Sequence, residues 1–564
     1  NWNAALAKDP HDAGTIYYAS QFLHKSTNKG ASWEIISPDL TTNDSTKTDQ
    51  SNNGGLSIDI TGAESFCTIM TIAPSPKEKG VIWIGTDDGN VQLTRDGGKT
   101  WSNFRGKIPG MPTGAWIPQV QASKHNAAEA FVVCNNYRNG DFAPYIFRTT
   151  DFGRTWTRLI DDKKVRGYAL CVLQDPAEPN LLFAGTEHGL WVSFDNGVNF
   201  QQWKNGYPSV STYDMTIQER EADLVIATFG RAIWILDNIR PLREVAANKG
   251  IIPSGKRLIA FKSGDAIQYN VRNAAGQDRA AWGIWEAQNK QRGAALSYYV
   301  NFQKGDSAVR SLDSVNVRIY NDKNELVRSL KYKADSGMNV RHWGFEQNGF
   351  RTAAPSRFSG STAIPPGLPA LSGNYKVVYS LGNSSDSTML TVKDDPIAGN
   401  HNEEKIAKQN MVDRLRKTND KLVMGIDRLN EADEVIRKME TQLKDVPGKP
   451  ADSLRKLTKL MKDSVKAIRE SITGKPREKQ GYYGGFANEP TSSNQLGLAY
   501  RYITGKSIAP GPQEEMLLKN AEDMAAESLK RINNFFAGPW KNYRNLAENT
   551  KLELFRDYQP ISTN

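Results

Sequence analysis

Along the first 240 residues, short apolar runs alternate with polar turns, and the alternation itself repeats. Each unit holds a strand-like run, a turn rich in Pro, Asp and Asn, and a second run ending in a small residue or Gly-Thr. The second runs are 15–20, 81–86, 130–135, 181–186 and 224–228, which aligns five units. Apolar runs this short, bounded by turn residues, predict strands rather than helices. A third run follows, then an octet of the form Ser/Thr-x-Asp-x-Gly-x-Thr-Trp, then a short fourth strand. The octets are 26–33, 94–101, 149–156 and 193–200; the first has Asn for Asp and the last Phe for Trp. The fifth unit keeps only Ile235-Leu236-Asp237-Asn238 and lacks the Gly and Trp. Four short antiparallel strands, repeated every ~40–65 residues with a tight clip, predict the blades of a β-propeller.

The octet has a readable physical logic. Its acidic or amide residue (Asn28, Asp96, Asp151, Asp195) can accept hydrogen bonds from backbone N–H groups of its own turn. Its glycine supplies a backbone geometry that a Cβ resists. Its aromatic residue opens the next strand and offers an apolar body to the neighbouring sheet. These four positions are therefore assigned structural roles.

The pattern changes twice further along. Residues 241–255, with Pro241, Pro253 and Gly255, predict a linker. Residues 256–396 alternate with period two, clearest in Val315-Asn316-Val317-Arg318-Ile319-Tyr320, and predict a β-sandwich. Trp282 and Trp285 are expected in its core or packed between domains. From residue 401 to 564 the period becomes helical. Leu415, Leu422, Leu429, Ile436 and Leu443 are spaced by seven, with Met411, Thr418, Gly425, Ala432 and Met439 as the alternate seam. Pro447-Gly448-Lys449-Pro450 breaks that helix, and further helices are expected over 451–473, 492–503 and 512–536. The fold class is thus mainly β: propeller blades, a sandwich, then an α-helical hairpin or bundle.

Charge and chemistry change this picture little. The net charge of +10 arises from 72 basic residues interspersed with 62 acidic ones, which describes a mixed surface rather than a nucleic-acid footprint. Cys67, Cys134 and Cys171 lie in apolar strand-like runs without metal-ligand spacing and are expected as buried free thiols. No apolar run approaches a membrane span. The sequence contains no Gly-x-Ser-x-Gly, no His-Glu-x-x-His and no phosphate-binding glycine loop, and no cofactor or metal is expected.

The octets carry a resemblance, together with Thr61-Gly62-Ala63-Glu64, Gly85-Thr86-Asp87-Asp88-Gly89-Asn90, Gly185-Thr186-Glu187-His188-Gly189-Leu190 and Phe229-Gly230-Arg231-Ala232-Ile233-Trp234. Residues 1–240 resemble the Asp-box (BNR-repeat) propeller proteins of bacteria, exported chains often labelled glycosyl hydrolase or sortilin-like. The region after them is similar to the Ig-like module of hook-capping proteins. The resemblance implies an exported protein in the periplasm, on the outer-membrane surface or secreted. It also implies further blades upstream, so that residues 1–240 are not expected to close a ring alone.

The residues that lead into the innermost strands are expected to open on one face: Glu64, Trp116, Arg166 and Tyr213. Their varied chemistry suits a glycan or a peptide, although Trp116 and Tyr213 could instead pack the central channel. The leading expectation is a binding or scaffolding protein of the cell envelope. One alternative is a glycoside hydrolase, for which Asp87-Asp88 and Glu187 sit at equivalent strand ends; equivalence in different blades favours a turn-stabilising role. The other is an accessory subunit docked on another envelope protein through its C-terminal helices.

Overall fold

A computed structural model describes residues 3–48, 66–253, 255–269, 290–302, 312–353, 364–474, 490–506, 508–550 and 558–561. Glu64, Trp282 and Trp285 lie outside these residues. The chain forms two compact units, Asn1–Lys256 and Arg257–Asn564.

The first unit is a series of five antiparallel sheets in chain order. Four have four strands and the fifth has three, and strands adjacent in space are adjacent in sequence. The innermost strands are Leu6–Lys8, Ile69–Pro74, Trp116–Ala122, Ala169–Gln174 and Thr212–Gln218. The second strands, Ile16–Ala19, Ile82–Thr86, Ala130–Asn136, Leu182–Thr186 and Asp223–Thr228, are the runs that read as strands in the sequence. Side chains alternate across a strand, and here both faces are covered. Phe131 and Val133 pack toward the fourth sheet with Val172 and Leu182. Ala130, Val132 and Cys134 pack toward the second with Trp83 and Leu93. Burial on both faces explains why these strands are continuous apolar runs rather than alternating ones.

The clips share one hydrogen-bond pattern. In the second, the Thr100 amide donates to Asp96 Oδ1 at 2.9 Å, the Thr100 hydroxyl to Oδ2 at 2.6 Å, and the Gly98 amide to Thr94 Oγ1 at 2.9 Å. Asp151 and Asp195 repeat it, each accepting its turn amide at 2.9 Å. Asn28 does the same with its carbonyl while its amide donates to Ser32 Oγ. Clip glycines 30, 98, 153 and 197 all have positive φ. Three of them also stand hard against the preceding sheet. A Cβ on Gly98 would lie 2.4 Å from Ile36 O, one on Gly153 2.4 Å from the Phe104 ring, and one on Gly197 3.0 Å from Leu159. Trp101 and Trp156 each donate their indole N–H to the clip glycine carbonyl at 3.0 Å.

The fifth sheet departs from the sequence expectation of a plain linker after it. Residues Arg240–Ala247 form a helix whose Leu242 and Ala246 enter the same core as Leu224 and Ile226. Arg243 donates to both oxygens of the fully buried Asp175 carboxylate, at 3.0 and 2.9 Å.

In the second unit, a three-stranded and a five-stranded sheet enclose one core that includes Tyr298, Val317, Trp343 and Tyr379. The long helix Asn402–Leu443 buries Leu415, Leu422, Leu429, Ile436 and Leu443, the heptad seam. A Cβ on Gly425 would stand 2.6 Å from Ile532, so this glycine lets helix Pro512–Phe535 approach closely. Helices Lys449–Thr473 and Ser492–Gly505 complete the packing. A π-turn at Phe536–Trp540, containing Pro539, leads into a further helix, Lys541–Asn549, that the sequence pattern did not separate.

Candidate functional site

The face of interest lies where the innermost strands begin and the second strands end. Trp116 opens the innermost strand of the third sheet and is only 7% exposed. It is covered by Arg138, whose guanidinium sits 3.8 Å from the centre of its ring. Trp116 is therefore buried and presents little surface of its own. Arg138 also lies 4.6 Å from the Tyr137 ring. Both belong to the short 3-10 turn Tyr137–Asn139, which leaves the second strand and ends at Gly140 with φ +76°.

Tyr137 then stacks on Tyr168 with ring centres 4.6 Å apart, and Phe142 approaches the same ring at 6.3 Å. Tyr168 precedes the innermost strand of the fourth sheet. Burial raises its pKa, and its carbonyl accepts from the Glu187 amide at 3.1 Å. Tyr213 is 58% exposed, so it is available as a surface contact. Arg166 is exposed as well, and its carbonyl accepts from Thr186 Oγ1 at 3.0 Å. Next to it, a Cβ on Gly167 would lie 2.9 Å from the His188 ring and 3.2 Å from Glu187.

A cleft of about 320 Å³ opens on this side of the first unit, lined by Arg166, His188, Lys204, Tyr207 and Ser209, with Gln202, Trp203 and Pro208. Its floor is well tied. The His188 carbonyl accepts from Gln202 Nε2 and from Ser209 Oγ, both at 2.9 Å. Tyr207 and Thr212 share a 2.7 Å hydroxyl contact.

The structure thus puts Arg166 in the wall of the cleft, leaves Tyr213 exposed in the innermost strand of the fifth sheet and buries Trp116 beneath Arg138; Glu64 lies outside the described residues. Sequence reasoning missed Tyr137, Arg138, Phe142 and Tyr168. A signal existed for Tyr137 and Arg138, since they follow the strand end Asn135-Asn136, where other units place Asp87-Asp88 and Glu187. Those carboxylates divide sharply. Asp88 is buried and accepts from the Thr42 amide at 2.6 Å, from the Thr42 hydroxyl at 2.7 Å and from Thr86. Asp87 accepts from the Thr68 amide at 2.8 Å. Both are occupied in holding turns together. Glu187 is different, with a side chain 36% exposed and His188 beside it at 3.7 Å.

No protein-family model matches the chain. Among curated proteins, it is similar to the oligoxyloglucan-reducing end-specific xyloglucanase of Emericella nidulans, with 26% identity over 142 residues. That match spans 24% of this chain and 17% of the relative's length. Among solved structures, the GH74 xyloglucanase from Xanthomonas campestris matches at 14% identity and a TM-score of 0.32, over 68% of this chain and 63% of that one. YCF48 from Cyanidioschyzon merolae matches at 20% identity and a TM-score of 0.21, over 30% of this chain and 56% of that one.

Proposed function

We propose that the strand-entry face of the first unit holds a glycan, in an exported bacterial protein that handles polysaccharide. The observation that carries this reading is the row of rings Tyr137, Tyr168 and Phe142, with Tyr213 exposed in the innermost strand of the next sheet and an open cleft lined by Arg166. Aromatic faces pack against the apolar faces of sugar rings, while the hydroxyl rims seek the polar groups around them. A row of rings backed by packed strands is also held in place before a ligand arrives, which reduces the ordering cost of binding. Calorimetric titration with xyloglucan oligosaccharides and a panel of other glycans tests the reading. Binding by the native protein should weaken about tenfold in Tyr168→Ala and in Tyr213→Ala, the loss of one stacking contact each. Capture of peptides with no glycan binding would move the protein to the peptide alternative.

Hydrolysis is the second reading, favoured by the 26% identity to a xyloglucanase. It requires two carboxyl groups roughly 5–9.5 Å apart across the scissile bond. Glu187 can supply one; its counterpart is not assigned. Release of new reducing ends from xyloglucan, abolished by Glu187→Gln with binding retained, is the expected result if this reading holds. Turnover indifferent to Glu187→Gln would place the chemistry elsewhere.

A further inference from the structure

The charge of the cleft is more informative than its shape. Arg166 and Lys204 line it, His188 joins them, and none of its eight lining residues is acidic. Among the described residues, neither Arg166 nor Lys204 has a carboxylate within ion-pair distance, although elsewhere Arg148, Arg243 and Arg414 are all paired. Arg138, at the other end of the aromatic row, is likewise without a carboxylate partner among the described residues; its guanidinium rests on Trp116 and Tyr137 instead. Among the described residues, the nearby carboxylates are Glu187, which lies beside His188, and exposed Asp214, which follows Tyr213; neither lines the cleft.

Two exposed cations that line one concave cleft attract an anion to the space between them. Arginine adds a planar fork that fits a carboxylate through two parallel hydrogen bonds. The hydroxyls of Tyr207 and Ser209 are already committed to Thr212 and to the His188 carbonyl, so the ligand-directed groups of this cleft are mainly its cations. The aromatic row begins at Tyr168, two residues after Arg166, so one chain of sugars can lie on the rings and bring an acidic group to the cleft.

We propose that the glycan recognised by this face is an acidic one, a uronic-acid polymer whose carboxylates are taken by Arg166 and Lys204. The proposal rests on the glycan reading and narrows its substrate class. Cleft cations set the choice of charged over neutral sugar, and the tyrosines supply charge-independent contact.

The test compares oligogalacturonate of defined length with its fully methyl-esterified form, which keeps the sugars and removes the charge. A xyloglucan oligosaccharide serves as the neutral third probe. The full chain, Arg166→Ala/Lys204→Ala and Tyr168→Ala are titrated with each; melting curves check that all three proteins are folded. Oligogalacturonate should bind the native chain at least tenfold more tightly than its ester, and the preference should shrink as salt is raised. The double variant should lose that preference and keep its affinity for the ester, whereas Tyr168→Ala should weaken both. Equal binding of acid and ester, unchanged in the double variant, overturns the proposal and leaves the glycan reading standing. Xyloglucan binding that depends on Tyr168, with no binding of oligogalacturonate, does the same. Absence of binding to all three probes overturns the proposal together with the reading beneath it.

Discussion

At the residue scale, the clip shows how little chemistry is needed to repeat a fold. One side-chain oxygen accepts a turn amide, and a second polar atom meets the residue four positions on, in all four clips. Asn28 performs this with an amide, so charge is not essential to the geometry. Asp96→Asn should therefore remain folded with a small loss of melting temperature, whereas Asp96→Ala should melt clearly lower, because the turn donors lose their acceptor. Hydrogen bonds from Thr100 hold the Asp96 carboxyl below its ordinary value of 3.8, and those from Thr155 do the same for Asp151. A carboxylate depressed in the folded state adds stability above its unfolded pKa and loses it as pH falls. The gap in melting temperature between the native chain and Asp96→Asn should thus be full at neutral pH and close below about pH 3.8. Thiols behave in the opposite sense. Burial pushes the Cys67 pKa up to about 11 and raises those of Cys134 and Cys171, so thiolate is scarce. Alkylation at neutral pH should label these three only after unfolding, as mass spectrometry would report.

At the element scale, close approach decides which small residues cannot change. A Cβ on Gly185, the last residue but one of the second strand of the fourth sheet, would lie 2.4 Å from Cys171 Sγ and 2.5 Å from Thr212 O. Gly185→Ala should cost about 1–3 kcal/mol by denaturant unfolding, since backbone and a buried sulfur must give way. Gly140 offers a contrast: a Cβ placed there would meet nothing within 4 Å, and only its positive φ resists substitution. The heptad helix follows core logic instead. Leu429→Ala, at a fully buried seam position, should cost about 2–5 kcal/mol and be read most clearly in the helical CD signal. Five leucine or isoleucine positions spaced by seven were enough to place that seam from the sequence. The helix Arg240–Ala247 carries its signals in the sequence, Pro241 in its first turn and Leu242, Val245 and Ala246 on one face, but at eight residues it is too short for a helical period to stand out beside Pro253 and Gly255.

At the scale of the whole molecule, the two units have separate cores, and the second should fold when residues 257–564 are expressed alone. A single cooperative melt with strong helical CD is the expected outcome; an unfolded product would show that it depends on the first. Within the first unit, the end sheets differ from the inner ones. Leu6, Tyr18 and Ile35 share an exposed face on the first sheet, and Ile233 and Ile235 share one on the fifth. The inner sheets bury the same kind of surface against a neighbour. Exposed apolar sheet faces promote association, so Ile235→Lys should reduce concentration-dependent scattering of the native chain without lowering its melting temperature.

The sequence by itself determined what depends on near neighbours along the chain: the strand runs, the clips with their acceptors and glycines, the buried thiols and the heptad seam. Each is set by turn chemistry or by a period of two or seven, both of which operate over a few residues. It also indicated that Arg166 and Tyr213 belong to one kind of loop, because the units align. Only the tertiary structure decided what those loops do together. Arg138 covers Trp116 although 22 positions separate them in the chain. Tyr137 meets Tyr168 from another sheet, and Arg166 shares a cleft with Lys204. Whether Asp88 serves a turn or a substrate was likewise settled by Thr42, 46 residues away. Such pairings depend on how successive sheets splay and where their loops converge, and no local pattern encodes a distance between side chains on different sheets.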